Sequence, residues 1–197
     1  MKIVDIKTFL MMAGAPESTG SSSWSARNWC FVKIYTDEGT VGIGEGSGWP
    51  RVVQTAIEDL RPIVVGEDPM NVERIWQKML ISTMGAGMTG TPGSGAINAI
   101  DMALWDIKGK ALNTPVWNLL GGKVRDRVRA YGHASTPERA LELKEQGLTG
   151  VKTGGVHRTA DKVEAIRKAV GDDMDIMVDA HGPPWFNAKD AIIVGKS

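Results

Sequence analysis

The sequence predicts an α+β domain followed by the opening units of a parallel βα array. Three observations carry this reading. The first stretch alternates apolar and polar residues with the period of a strand, broken by turn residues at Thr36-Asp37-Glu38-Gly39. Residues 50–120 then read as consecutive helices. After Gly122 a strand-then-helix unit repeats, and such units build parallel sheets with right-handed crossovers.

Composition bounds the possibilities. With 197 residues, 42% of them hydrophobic and 24 of them glycine, the chain can bury a sizeable core. Lys+Arg and Asp+Glu both total 23, which gives no basic footprint for nucleic acid and no bias toward a membrane surface. A small neutral or anionic ligand suits this balance better. The single cysteine, Cys30, excludes an intramolecular disulfide and reads as a buried thiol in a reducing cytoplasm. Residues 9–15 are apolar like the core of a signal peptide, but Asp5 and Lys7 interrupt the approach to them. No run reaches the roughly 20 apolar residues of a spanning helix.

In chain order, residues 2–11 form a strand, and residues 14–25 a Gly/Ser/Pro-rich loop. Trp29 to Tyr35 is aromatic and β-branched, and Val41 to Glu45 returns as its hairpin partner, which gives a three-stranded antiparallel meander. Pro50 opens a helix with the stripe Val53, Ala56, Ile57 and Leu60, and Pro62 is expected to stop it. Asp68-Pro69 caps a second helix whose buried face is Val72, Ile75, Trp76 and Met79. Residues 81–95, with five glycines, read as a second long loop. Ala96 to Lys110 is apolar around most of its circumference, the mark of a helix buried between layers. A short helix over 115–120 closes at Gly121-Gly122.

The second half holds strands at 128–134, 150–155 and 175–181, with helices at 137–146 and 159–170 and a third from about Asn187. Val163, Ile166 and Ala169 are the inward positions of the second helix. In the third strand Met177, Asp179 and His181 share one face, while Ile176, Val178 and Ala180 share the other and pack on a helix. Asp179 and His181 are therefore carried to the C-terminal end, where parallel α/β folds build their sites. Either a site or a polar strand terminus accounts for the pair. Lys152 stands between Gly150 and Gly154 on its own strand face, where a buried ammonium needs an anion. Glu45, between glycines, reads as a structural hydrogen-bonder or a ligand contact. His133 and His157 read as surface or loop residues.

Several of these segments together resemble a known family. Arg27-Asn28-Trp29, the turn at 36–39 with Gly42-Ile43-Gly44-Glu45, the helix from Ala99 to Lys110 and Leu119-Leu120-Gly121-Gly122 resemble the capping domain of the enolase superfamily, mandelate racemase subgroup. The likeness extends over essentially the whole chain. It implies an α+β capping domain at 1–122 and, at 123–197, the first part of a (β/α) TIM-like barrel, incomplete after about three βα units. The loops at 14–25 and 81–95 would then be lids.

The resemblance also implies a reaction. Such enzymes remove a proton α to a carboxylate, and a divalent metal, here Mg²⁺, stabilises the enediolate. By position, Asp179 matches the first metal ligand and Lys152 the first lysine of a Lys-x-Lys strand, whose second lysine is replaced by Gly154. In racemases of the subgroup that second lysine is a base, so Gly154 argues against a racemase. Asp179-Ala180-His181 instead resembles the Asp-x-His strand of galactonate- or mannonate-type acid-sugar dehydratases, with His181 as general acid. Arg27, Asn28 and Trp49 are implied as substrate contacts. A cytoplasmic homo-oligomer acting on a small sugar acid is implied as well. The family's other metal carboxylates and its barrel histidine base lie on later strands. Two alternatives stay open: a racemase, epimerase or other member of the superfamily, and an inactive fragment or interaction module.

Overall fold

A computed structural model describes residues 1–13, 27–85, 90–155, 158–180 and 185–196, and the chain divides into two compact units, Met1–Val124 and Arg125–Ser197.

In the first unit, β1 (Ile3–Ala13), β2 (Arg27–Thr36) and β3 (Val41–Gly46) form the antiparallel meander, in the order β1-β2-β3. Its β2–β3 turn closes through Gly39, at φ 83°, which only glycine adopts without strain. Cross-strand rows on the core face run Ile6–Ile34–Gly42, Thr8–Val32–Gly44 and Leu10–Cys30–Gly46. Every row ends in a glycine on β3. That vacancy admits α3 (Thr91–Ala111), whose backbone lies so close that a Cβ on Gly42 would stand 2.0 Å from the Ala103 carbonyl oxygen. A Cβ on Gly44 would stand 2.0 Å from that of Ala99. From α3 the fit is answered by Gly95, where a Cβ would meet the Ser47 carbonyl at 2.2 Å.

Side chains of α3 also close the free edge of β3. Asp106 accepts from the Ile43 N–H at 2.9 Å, Lys110 donates to the Val41 carbonyl at 2.7 Å, and the two side chains pair at 2.6 Å. These are edge groups that would otherwise invite another strand. Helices α1 (Pro50–Val64) and α2 (Val72–Gly85) complete the layer, burying Val53, Ala56, Ile57, Leu60, Ile75 and Met79. The short α4 (Val116–Leu119) ends at Gly121 and Gly122, at φ 109° and 94°. No helix among the described residues is long and apolar enough to cross a membrane.

Four expectations for this unit are corrected. Pro62 does not stop α1, because it falls in the last turn and removes only its own bond, while Val65 still donates to the Arg61 carbonyl. Asp68-Pro69 forms a turn, with Met70 N–H donating to Asp68, and α2 begins only at Val72. Trp76 is half-buried rather than buried. The loop expected over 81–95 is mostly helix, since α2 runs to Gly85 and α3 starts at Thr91. Gly93 and Gly95 are buried in α3, so Gly95 serves close packing instead of loop flexibility. Residues 14–25 and 86–89 lie outside the described residues.

The second unit is a three-stranded parallel sheet, β4 (Gly132–His133), β5 (Gly150–Gly154) and β6 (Asp175–Asp179), in that order. Helices α5 (Pro137–Glu145), α6 (Thr159–Val170) and α7 (Ala188–Lys196) alternate with the strands. Thr136 caps α5 by accepting from the Arg139 N–H at 3.3 Å, and Gly147, at φ 86°, ends its turn. Ala140, Leu143, Val151, Ile166, Val170 and Met174 make its core. Arg129 ties the strand starts together, donating to the Thr149 hydroxyl at 2.7 Å and to the Asp175 carboxylate.

Here too the reading needs adjustment. The first strand is far shorter than 128–134, with Val128 81% exposed. Val163 and Ala169 are only half-buried, Ile166 and Val170 being the buried apolar positions of α6. Val178 was expected to pack on a helix, yet it is 43% exposed, because α7 buries none of its residues.

Two substitutions test this packing. Gly44→Ala should cost about 3 kcal/mol in urea unfolding, since the helix backbone cannot yield to a Cβ cheaply. Gly85→Ala, where a Cβ meets nothing within 4 Å among the described residues, should be neutral or stabilising; equal effects from the two would refute the close approach. In β5, Thr153 is fully buried and its hydroxyl has no hydrogen-bond partner among the described residues. Thr153→Val should therefore raise stability by about 1 kcal/mol, and a loss of that size would show that the hydroxyl is satisfied.

Candidate active site on the parallel sheet

The parity of each strand decides which residues face away from the helices. A Cβ on Gly132 would press on the Leu143 side chain of α5, 2.6 Å from its Cδ1, and Val151 and Thr153 are fully buried. These positions define the helix-facing side. His133, Lys152, Gly154, Met177 and Asp179 occupy the other side, with His133 in register with Lys152, Lys152 with Met177, and Gly154 with Asp179.

On that face Lys152 and Asp179 meet. The Lys152 ammonium donates to Asp179 Oδ2 at 2.6 Å, bridging β5 and β6 diagonally. The side chains are 22% and 32% exposed, so the pair is open to a ligand. Its hydrogen bond to Asp179 raises the Lys152 pKa above the ordinary lysine value; partial burial opposes this, and the charges of Asp179 and Tyr131 add to it. Lys152 is accordingly an ammonium at neutral pH, a group for holding an anion rather than for accepting a proton. A raised lysine pKa means that the pair's contribution to stability is present below the ordinary lysine pKa and is lost as pH rises through the folded value.

Gly154 leaves the next place on this face open. Among the described residues a Cβ there would meet only the Asp179 carbonyl oxygen, at 3.9 Å. The strand is held to its neighbour one residue later, where Gly155 N–H donates to that same carbonyl at 3.2 Å. Lys162, from the first turn of α6, donates to the Gly154 carbonyl at 3.3 Å.

The remaining expected residues fall elsewhere. His181, His157 and the side chain of Arg27 lie outside the described residues. Asn28 is exposed on β2 opposite Met12, and Trp49 is the 72% exposed residue that precedes α1. Both belong to the first unit. Glu45 is half-buried on the outer sheet face, in register with Phe31. His133 is exposed, as expected, but it stands on β4 and on the face of Lys152. The strand parity of Tyr131-Gly132-His133-Ala134 was the available signal.

Mg²⁺ is surrounded by about six oxygens, usually including more than one carboxylate when protein supplies them. Among the described residues no group of three or more His, Cys, Asp or Glu is placed to hold a metal ion. Asp179 is already engaged by the Lys152 ammonium, and Asp175, at the start of the same strand face, is held by Arg129. The described residues thus do not by themselves fit a Mg²⁺ site.

Comparison with known proteins places the chain. Residues 4–121 match the mandelate racemase / muconate lactonizing enzyme N-terminal domain, and residues 135–197 match the enolase C-terminal domain-like family. A D-galactonate dehydratase of Klebsiella pneumoniae (strain 342) is 40% identical, over 78% of this chain and 45% of its own length. A second, from Verminephrobacter eiseniae (strain EF01-2), is 37% identical with the same coverage. The chain thus spans about half the length of the curated relatives it matches. Among solved structures, the 3,6-anhydro-D-galactonate cycloisomerase of Zobellia galactanivorans is 34% identical with TM-score 0.87, covering 100% of this chain and 55% of that one. An enolase-superfamily member from Polaromonas sp. JS666 is 30% identical with TM-score 0.86, over 100% and 56%. With a family profile matching more than half of its residues, the chain belongs to the mandelate racemase / muconate lactonizing enzyme family of the enolase superfamily.

Proposed function

We propose that this chain is part of an acid-sugar dehydratase, in which a base outside the described residues takes the α-proton of a sugar carboxylate and the β-hydroxyl is expelled as water. The resulting enol tautomerises to a 2-keto-3-deoxy acid. The observation that carries the reading is the Lys152–Asp179 pair on one open face of the parallel sheet, with an imidazole two residues beyond Asp179 in sequence. Its relatives named D-galactonate dehydratase support a hexonate as substrate.

In this reading Lys152 holds the substrate carboxylate, and its positive charge offsets the negative charge that accumulates there as the α-proton leaves. His181, two residues after Asp179 in sequence, protonates the departing hydroxyl, which is a poor leaving group until it becomes water. Gly154 offers no side chain for proton abstraction, which supports a dehydratase over a two-base racemase. Mg²⁺ dependence belongs to the proposal, with Asp179 as the one ligand these residues supply. The further oxygens would come from outside the described residues. The buried free thiol of Cys30 accords with a reducing cytoplasm, and a homo-oligomer is proposed by family likeness alone.

Calorimetry of Mg²⁺ with the full-length enzyme and with its Asp179→Asn variant tests the metal role. Binding is expected for the first and none for the second, and equal binding by both would remove Asp179 from the site. In the full-length enzyme His181→Ala should lower dehydration about 10³-fold while α-proton exchange with solvent deuterium continues. Parallel loss of exchange and dehydration, with metal affinity intact, would rule out the acid role.

A further inference from the structure

We infer that His133 is a specificity residue of this site, binding a hydroxyl of the polyhydroxylated acid that Lys152 anchors. The inference rests on the dehydratase reading and adds to it a strand that the sequence reading left out of the site.

Three adjacent parallel strands bring polar side chains to the same face: His133 from β4, Lys152 from β5 and Asp179, with Asp175 at the strand start, from β6. The placement of His133 is fixed independently from both sides. Its predecessor Gly132 points at Leu143 of α5, and its successor Ala134 is buried in the helix-facing core, with Ala134 N–H bonded to the Lys152 carbonyl. His133 must therefore point the other way, as Tyr131 does, whose Cβ lies 3.6 Å from where a Cβ on Gly150 would stand. Neither packing nor pairing accounts for His133. It is exposed, and among the described residues it makes no hydrogen bond or ion pair.

Its chemistry complements that of its neighbours. Lys152 offers only donors and Asp179 only acceptors, so they suit a carboxylate and a cation respectively. A neutral imidazole has one donor and one acceptor nitrogen, which matches a hydroxyl that must both give and take a hydrogen bond. Strands stand about 4.8 Å apart, so β4 and β6 lie roughly 10 Å apart across β5, with His133 level with Lys152 and Asp179 two residues further along its strand. That is the scale of an extended sugar acid, and a simple carboxylate held at Lys152 would be too short to use the flanking histidine.

The test is a comparison of D-galactonate with glycolate, which keeps the carboxylate and α-hydroxyl but lacks the rest of the chain. Binding of each to the full-length enzyme is measured with Mg²⁺ present, for wild type, His133→Ala, His133→Asn and Asp179→Asn. His133→Ala should weaken galactonate about tenfold, the size of one lost polar contact, and glycolate less than about twofold. His133→Asn, which retains a donor and an acceptor, should recover part of the loss. If both acids weaken equally, the role is structural and the assignment falls. If galactonate binding is lost in Asp179→Asn but unchanged in His133→Ala, the assignment falls while the dehydratase reading stands. If wild type binds neither acid, both fall together.

Discussion

The first unit depends on one close approach, the backbone of α3 lying directly on β3. Three glycines, Gly42, Gly44 and Gly46, end the three core-facing rows of the sheet, and the facing turns of α3 carry Gly95, Ala99 and Ala103. Dispersion between surfaces in contact falls steeply with a gap, so removing the Cβ atoms on both sides turns a loose helix-on-sheet contact into a tight one. The consequences spread outward. With α3 this near, Asp106 and Lys110 reach the free edge of β3, and the apolar residues around α3 are buried against α1, α2 and the sheet.

A different constraint governs the second unit. A parallel strand has two faces, and here the helices claim one of them through Gly132, Val151 and Thr153. The residues between them inherit the other face, whatever their polarity. That is how a lysine, an aspartate and a histidine come to share a surface that hydrophobic burial alone would not select. Once there, Lys152 and Asp179 neutralise each other across the strands, and the hydrogen bond between them outweighs burial in setting the lysine's protonation.

Much of this was legible beforehand. Both the meander and the βα repeat follow from local periodicity, and parity within one strand placed Lys152 with Gly154 and Asp179 apart from Ile176. What could not be read were features that depend on a partner. The helical 91–95 segment contradicts local propensity, because tertiary packing overrides a weak preference. The exposed Val178 likewise reflects what its neighbours do not cover.

The sequence by itself determined the kinds of element, their order and the face each side chain takes within its own strand. These follow from the 3.6- and 2-residue periods of the backbone, which are properties of one segment. Only the tertiary structure decided that Lys152 bonds Asp179, that His133 lies in register with Lys152, and that glycines in β3 serve a helix backbone. Each of those is a relation between segments far apart in the chain, set by strand register and interlayer distance, and no local period encodes either.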